Sequence, residues 1–305
     1  VLGSRGARYG APMYTDIEFL GLTAGDGPGH FHFTVENLVA RLDGLLYGGT
    51  AIAVSIATAQ ALTNRSPLWM TTQFIATAPA NERISVHTEV LAPGRRTNQV
   101  RVTGTDAAGD IMFASLGATG HHKESGLAGT FDQAPTVSPP ERSEPWPNPF
   151  VAVVRNDGIE ADFSNFPTDL GFNAALDFRE PTVEAHPDPG PGRMCVWARR
   201  RDQVAITPAI ASYVADMVPL SVAHACGVMA GGISLDNTIR IGAFETTEWV
   251  LIDLRPHLAV GDYGHGTAHV WSESGALLAT ASQTSSMMRF SPTDFAAAKP
   301  SPGEG

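Results

Sequence analysis

At 305 residues, 43% of them hydrophobic, the chain has the length of two average domains and can bury a sizeable core. Lys and Arg number 20 against 31 Asp and Glu, and the resulting charge of -11 argues against a broad nucleic-acid or anionic-membrane surface and for small-molecule partners. Cys195 and Cys226 are too few and too far apart for a disulfide framework or a CxxC metal pair, so they read as free thiols of a reducing, cytosolic compartment.

The opening VLGSRGARYGAPMYTD lacks the apolar core of a signal peptide, and residues 1–20 read as an extension. No stretch reaches the roughly 20 uninterrupted apolar residues of a membrane helix. A first unit spans 21–120. Its segment Gly48–Leu62, started by glycines and rich in small residues, suits a helix buried on most sides. PLWMTTQFIATA, RISVHTEVLAPG, TNQVRVTGTDAAG and DIMFASLGATG follow, with strand composition and Gly, Pro or Asp-Ala-Ala-Gly punctuation. The Pro-, Ser- and charge-rich run Gly120–Phe150 reads as a connector, within a linker assigned to 121–160.

The second unit, 161–290, repeats that order after a long turn at Glu184–Arg193. A helix begins at Thr207, a suitable N-cap, with Pro208 in the first position. ISLDNTIRIGAF, EWVLIDLRPHLAVG, YGHGTAHVWSESG and ALLATASQTSSMMRF follow as strands, with hairpins turning at Gly109 and Gly275 in corresponding places. Residues 291–305 read as a disordered tail.

Three polar residues of the second half stand out. Asp216 interrupts an apolar helix, where desolvating a carboxylate is costly; a solvent-facing or salt-bridged Asp is an equal reading. Gln283 keeps phase with Leu277, Ala279 and Ala281, so it points inward and needs partners, in a core amide role or a functional one. Ser234, after Gly231 and Gly232, reads from its neighbours as a turn residue or local cap.

A long helix followed by an antiparallel meander, occurring twice, is the plan of a tandem hotdog of the α+β class. LLYGGTAIAVSIATAQ, YVAD, ISLDNTIRI, EWVLIDL and GALLATASQTSSMMR resemble, in order, the double hotdog acyl-CoA thioesterases of the bacterial thioesterase II type. The resemblance implies hydrolysis of fatty acyl-CoA without metal or cofactor, a site between the two hotdogs, and dimers or larger even assemblies; since no carboxylate occurs between Gly48 and Leu62, one catalytic site per chain is expected, carried by the second half. It also implies that Asp216, Ser234 and Gln283 jointly hold the attacking water.

Around that chemistry, Gly48 and Gly49 at a helix start are oxyanion candidates, or serve only close packing. Arg199 and Arg200, with Arg95 and Arg96 beside them as candidates, could meet CoA phosphates or be solvated. Trp69, Met70, Phe74 and Tyr213 could line an acyl tunnel or be plain core. No GxSxG, HExxH or nucleotide-type GxGxxG occurs. Two alternatives stay open: an enoyl-CoA hydratase-like lyase using Asp262 and His265 of VGDYGHGTAH, and a non-catalytic acyl-CoA binding protein.

Overall fold

The computed structural model describes residues 12–123, 125–146, 149 and 170–290. The tail expected at 291–305 and the latter part of the linker lie outside the described residues. A helix α1 (Pro12–Phe19) leads into the short strands β1 (Thr23–Ala24) and β2 (His30–Thr34). Then comes α2 (Gly48–Thr63), in which every residue from Gly49 to Ala59 is buried. Its small side chains let the sheet and the helix Pro208–Val214 pack closely against it. The meander β3 (Ser66–Phe74), β4 (Arg83–Ala92), β5 (Thr97–Thr105) and β6 (Ile111–Gly120) wraps it, and β5 shows the expected alternation, with Asn98, Val100, Val102 and Gly104 buried.

The connector is not featureless. It forms β7 (Thr136–Val137) and β8 (Glu144–Pro145). A one-turn helix α3 (Phe172–Ala175) then leads to β9 (Leu176–Glu180), β10 (Val183–Ala185) and β11 (Met194–Arg200). The central helical stretch is α4 (Pro208–Val214) and α5 (Val218–Cys226), followed by β12 (Ala230–Ile241), β13 (Val250–Val260), β14 (Tyr263–Ser272) and β15 (Leu277–Arg289). Thr207 caps α4 by accepting from the Ile210 N–H at 3.2 Å. Gly109 and Gly275 turn their hairpins at φ +90° and +84°, a region favouring glycine.

Thirteen strands form one antiparallel sheet in the order β1-β2-β4-β5-β6-β3-β12-β15-β14-β13-β11-β9-β8. The two halves join where β3 pairs β12, from Gln73↔Asp236 to Trp69↔Arg240. This is the tandem hotdog. On the sheet's outer face Cys195, Trp197, Trp249, Leu251 and Trp271 form a second apolar cluster, covered by Ala134 and Val137 of the connector. Trp197 Nε1 donates to the Ser138 carbonyl at 2.9 Å. The connector therefore roofs the second hotdog, and its two-residue strands carry no period that a sequence could display. The N-terminal extension is likewise built in: Leu20 is fully buried, and Asp16 accepts from Thr207 Oγ1 at 2.9 Å.

Pro208–Cys226 passes a length and hydropathy test for a membrane span, yet 78% of its most apolar window is buried inside the fold. It is broken between α4 and α5, which suits a core element.

Candidate active site

The helix expected from Thr207 onward is interrupted, and Asp216 stands in the interruption. Pro219 is the cause: it supplies no N–H for the Ala215 carbonyl, and its ring would collide with that carbonyl in a continuous helix. The chain leaves α4 at Ala215, turns through Asp216 and Met217, and restarts with Pro219 in the first turn of α5. Asp216 thus lies beside the N-terminus of α5, not late within one long helix as its sequence position suggested. Tyr47, just before α2, holds the break by donating its hydroxyl toward the carbonyls of Tyr213 (3.1 Å) and Asp216 (3.2 Å).

Three side chains from two strands converge on Asp216. Gln283 Nε2 donates to Asp216 Oδ1 at 2.6 Å and to Ser234 Oγ at 2.7 Å. Ser234 Oγ donates to Asp216 Oδ1 at 3.4 Å, and Asn237 Nδ2 donates to the same oxygen at 3.2 Å. The Gln283 amide is oriented by its other end, where Oε1 accepts the otherwise unpaired N–H of Val218, at the first turn of α5, at 3.2 Å. Asp216, Ser234 and Gln283 therefore meet as expected. Asn237 was not foreseen. A β-bulge between Ser234 and Asp236 puts Ser234 and Asn237, three residues apart, on the same face, and strict alternation would have separated them.

Burial dominates the electrostatics. Asp216 is 7% exposed, and desolvation raises its pKa from 3.8 to about 7, against the lowering effects of the Asn237 and Ser234 hydrogen bonds, the Gly49 N–H and the Arg41 charge. The positive end of α2 thus serves Asp216. A Cβ on Gly48 would collide with Asp216 Oδ2 and meet the Phe74 ring, while one on Gly49 would strike the Tyr213 carbonyl. Both glycines are required for close approach. The Gly49 N–H, an expected oxyanion donor, is engaged by the carboxylate instead.

Other expected binding residues lie elsewhere. Met70 and Tyr213 are fully buried core, and Tyr213 donates its hydroxyl to the Leu38 carbonyl. Trp69, next to inward Met70, takes the opposite sheet face. Arg199 pairs with Asp177 at 3.0 Å and stacks over Trp249, and Arg200 is 3% exposed, paired with Asp202 and set over the Phe19 ring. The two arginines are structural because their charges are already matched within the fold. His265 lies on the outer face, bonded to the Gln283 carbonyl, and Asp262 sits exposed in the β13–β14 turn, so neither faces the helices as a hydratase pair would.

Among the described residues a further cluster bears ligating side chains: His186, Cys195 and Asp253 bring donor atoms within 4.8 Å of one another. Its hydrogen bonds are already complete. His186 Nδ1 accepts from the Asp188 N–H at 3.0 Å, leaving Nε2 to donate to Asp253 Oδ1 at 2.9 Å, and Arg255 clamps Asp253 Oδ2 at 2.7 and 2.9 Å. The Cys195 thiol is pushed up to about 12 by burial and by Asp253.

The profile of the acyl-CoA thioesterase C-terminal domain matches residues 140–287 and that of the N-terminal domain matches 40–117. The chain belongs to the acyl-CoA thioesterase family and is a thioester hydrolase. Among solved structures it resembles a candidate thioesterase from Novosphingobium aromaticivorans DSM 12444, at 26% identity and TM-score 0.72, over 87% of this chain and 97% of that one. It shares its fold with a hot dog protein of unknown function from Alicyclobacillus acidocaldarius (20% identity, TM-score 0.73, 91% and 99% covered). An acyl-CoA thioesterase II of Mycobacterium marinum also shares it (16% identity, TM-score 0.66, 91% and 98% covered). Among curated proteins none is similar enough in sequence to count as a relative.

Proposed function

We propose that the protein hydrolyses fatty acyl-CoA to a free fatty acid and CoA through a water held by Asp216, Ser234 and Gln283. The observation that carries this reading is the convergence of Gln283 and Ser234 on a buried carboxyl raised to about 7, close to the value that suits a general base at neutral pH. In the ionised state Asp216 takes one proton as the water oxygen bonds to the thioester carbon and the carbonyl electrons move to oxygen. Collapse re-forms the carbonyl and breaks the C–S bond, and the departing thiolate recovers the proton from Asp216. With Gly49 occupied by the carboxylate, the Gly48 N–H at the start of α2 is the remaining backbone candidate for the oxyanion. Phe74, at the edge of the site, is the acyl-tail contact that its position favours.

The test is thiol release from palmitoyl-CoA, followed beside double-bond absorbance with crotonyl-CoA. Thiol release that vanishes in Asp216→Asn supports hydrolysis; loss of crotonyl absorbance without thiol release would instead mean a hydratase, and binding with no turnover a silent acyl-CoA binder. Residues 21–120 and 161–290 are taken as the two hotdog units. Association into dimers or larger even assemblies is part of the same reading, supported by outward apolar side chains such as Leu116 (51% exposed) and Val260 (70%). A monomeric mass by light scattering at micromolar concentration would remove it.

A further inference from the structure

Asn237 is fully buried, yet only one end of its amide is used. Nδ2 donates to Asp216 Oδ1 at 3.2 Å, while Oδ1 has no hydrogen-bond partner among the described residues. A buried amide carbonyl left unpaired costs on the order of 1–3 kcal/mol, so a donor is wanted there. Its neighbours in register do not supply one: Gln283 across β15 spends its amide hydrogens on Asp216 and Ser234, and the Thr72 hydroxyl across β3 bonds to Ser115 at 2.8 Å.

We infer that Asn237 is a water-positioning residue of the hydrolytic site, its Oδ1 accepting the second hydrogen of the water whose first hydrogen goes to Asp216. This rests on the thioesterase reading above and extends it. Amide bond lengths set the separation of the two Asn237 polar atoms at about 2.3 Å, so Oδ1 lies no more than about 5.5 Å from the Asp216 oxygen that Nδ2 contacts. One water with hydrogen bonds of about 2.8 Å spans that gap. A nucleophilic water has two hydrogens and one attacking lone pair. A base fixes only one of the hydrogens, and a second acceptor fixes the direction of attack. An amide carbonyl suits this better than a second carboxylate, which would compete for the proton.

Three measurements test it. A crystal structure of the wild-type protein is expected to show an ordered water within hydrogen-bond distance of both Asn237 Oδ1 and an Asp216 carboxylate oxygen; an amide carbonyl with no such water overturns the proposal. Asn237→Leu, close in volume but unable to bond, is expected to lower kcat for palmitoyl-CoA on the order of 10²-fold with KM unchanged. Its acid limb should move to higher pH, because a donor favouring the charged carboxyl is gone; the other groups facing Asp216, the Arg41 charge, the hydroxyls of Tyr47 and Ser234, and Gln283, remain. Asn237→Gln keeps both amide atoms and is expected to retain more activity than Asn237→Leu. Variants with lowered thermal stability but wild-type kcat and pH profile per folded molecule would make Asn237 structural only. Should the wild-type protein hydrolyse no acyl-CoA, the thioesterase reading falls. The crystallographic water and an infrared titration of the Asp216 carboxyl in wild type and Asn237→Leu then decide the role of Asn237 separately.

Discussion

The two hotdogs solve one packing problem in two ways. Eight residues beyond their hairpin glycines, Gly109 and Gly275, stand Gly117 and Gln283, and in register with these on the neighbouring strands stand Met70 and Asn237. In the first half a Cβ on Gly117 would run into the Met70 thioether, so apolar bulk fills the space. In the second half two amides fill it. The first half has buried polar groups as well, a chain from Thr72 Oγ1 to Ser115 Oγ (2.8 Å) to Ser55 Oγ (2.9 Å), ending where Ser55 donates to the Ala51 carbonyl (2.8 Å). Ser115, Thr72, Asn237 and Gln283 even form one continuous row across four strands. Buried polarity alone therefore does not mark the site. Neutral hydroxyls that satisfy one another and a helix carbonyl stabilise a core, whereas a desolvated carboxyl beside an unpaired acceptor is the feature on which the proposed function rests.

The largest break in this comparison comes from removing the carboxyl. Asp216→Asn is expected to lose roughly 10²- to 10⁴-fold in kcat for palmitoyl-CoA, and the wild-type rate should fall on the acid side with an apparent pKa of about 7. The stability change runs the other way. With a folded pKa near 7 against 3.8, the folded protein keeps a proton that the unfolded chain has released, so stability falls as pH rises between these values. Above that window the ionised carboxyl costs roughly 4 kcal/mol. Asp216→Asn should therefore melt higher than wild type at pH 8 and gain less at pH 5; melting temperatures that run in parallel across that range would contradict the raised pKa.

Making the second half resemble the first is expected to have the next largest effect. Gln283→Leu strands the Val218 N–H and frees Ser234, so kcat should drop on the order of 10²-fold, with a stability loss of about 1–3 kcal/mol by urea unfolding. Gly48→Ala pushes a methyl group onto Asp216 Oδ2; it is expected to lower kcat at least about tenfold through misplacement of the base, and wild-type kinetics would show that the α2 start does not abut the reacting carboxyl. Ser115→Ala, in the first half, strands the Thr72 hydroxyl and should cost about 1–3 kcal/mol of stability while leaving kcat and KM alone. A kinetic effect there would mean that the two halves are coupled along the polar row.

Much of this was legible in the chain. The helix α2, the start of α4 and all eight meander strands followed from composition, capping and turn residues, because these act locally, whereas α1, α3 and the break before α5 did not. Asp216 and Gln283 stood out as polar groups on apolar faces. Asn237 was hidden because its face was masked by a bulge, and a bulge is set by how β12 pairs with β15, which no short window contains. Arg199 looked available because Asp177 comes from another strand, and Arg200, although Asp202 is only two residues away, because its burial against the Phe19 ring depends on the N-terminal helix.

By itself the sequence determined two helix-and-meander units, an acidic chain, and a carboxyl in an apolar segment whose desolvation had to be compensated. Only the tertiary structure decided that Pro219 breaks the helix at that carboxyl, that α2 of the other hotdog lends it a backbone donor, and that the connector and N-terminal helix cover the second half instead of hanging free. The reason is one of range. Propensity, alternation and capping act over a few residues and can be read in place. The surroundings of Asp216 come from Gly48 and Gly49, Ser234 and Asn237, and Gln283, segments that meet only when the sheet closes around its helices.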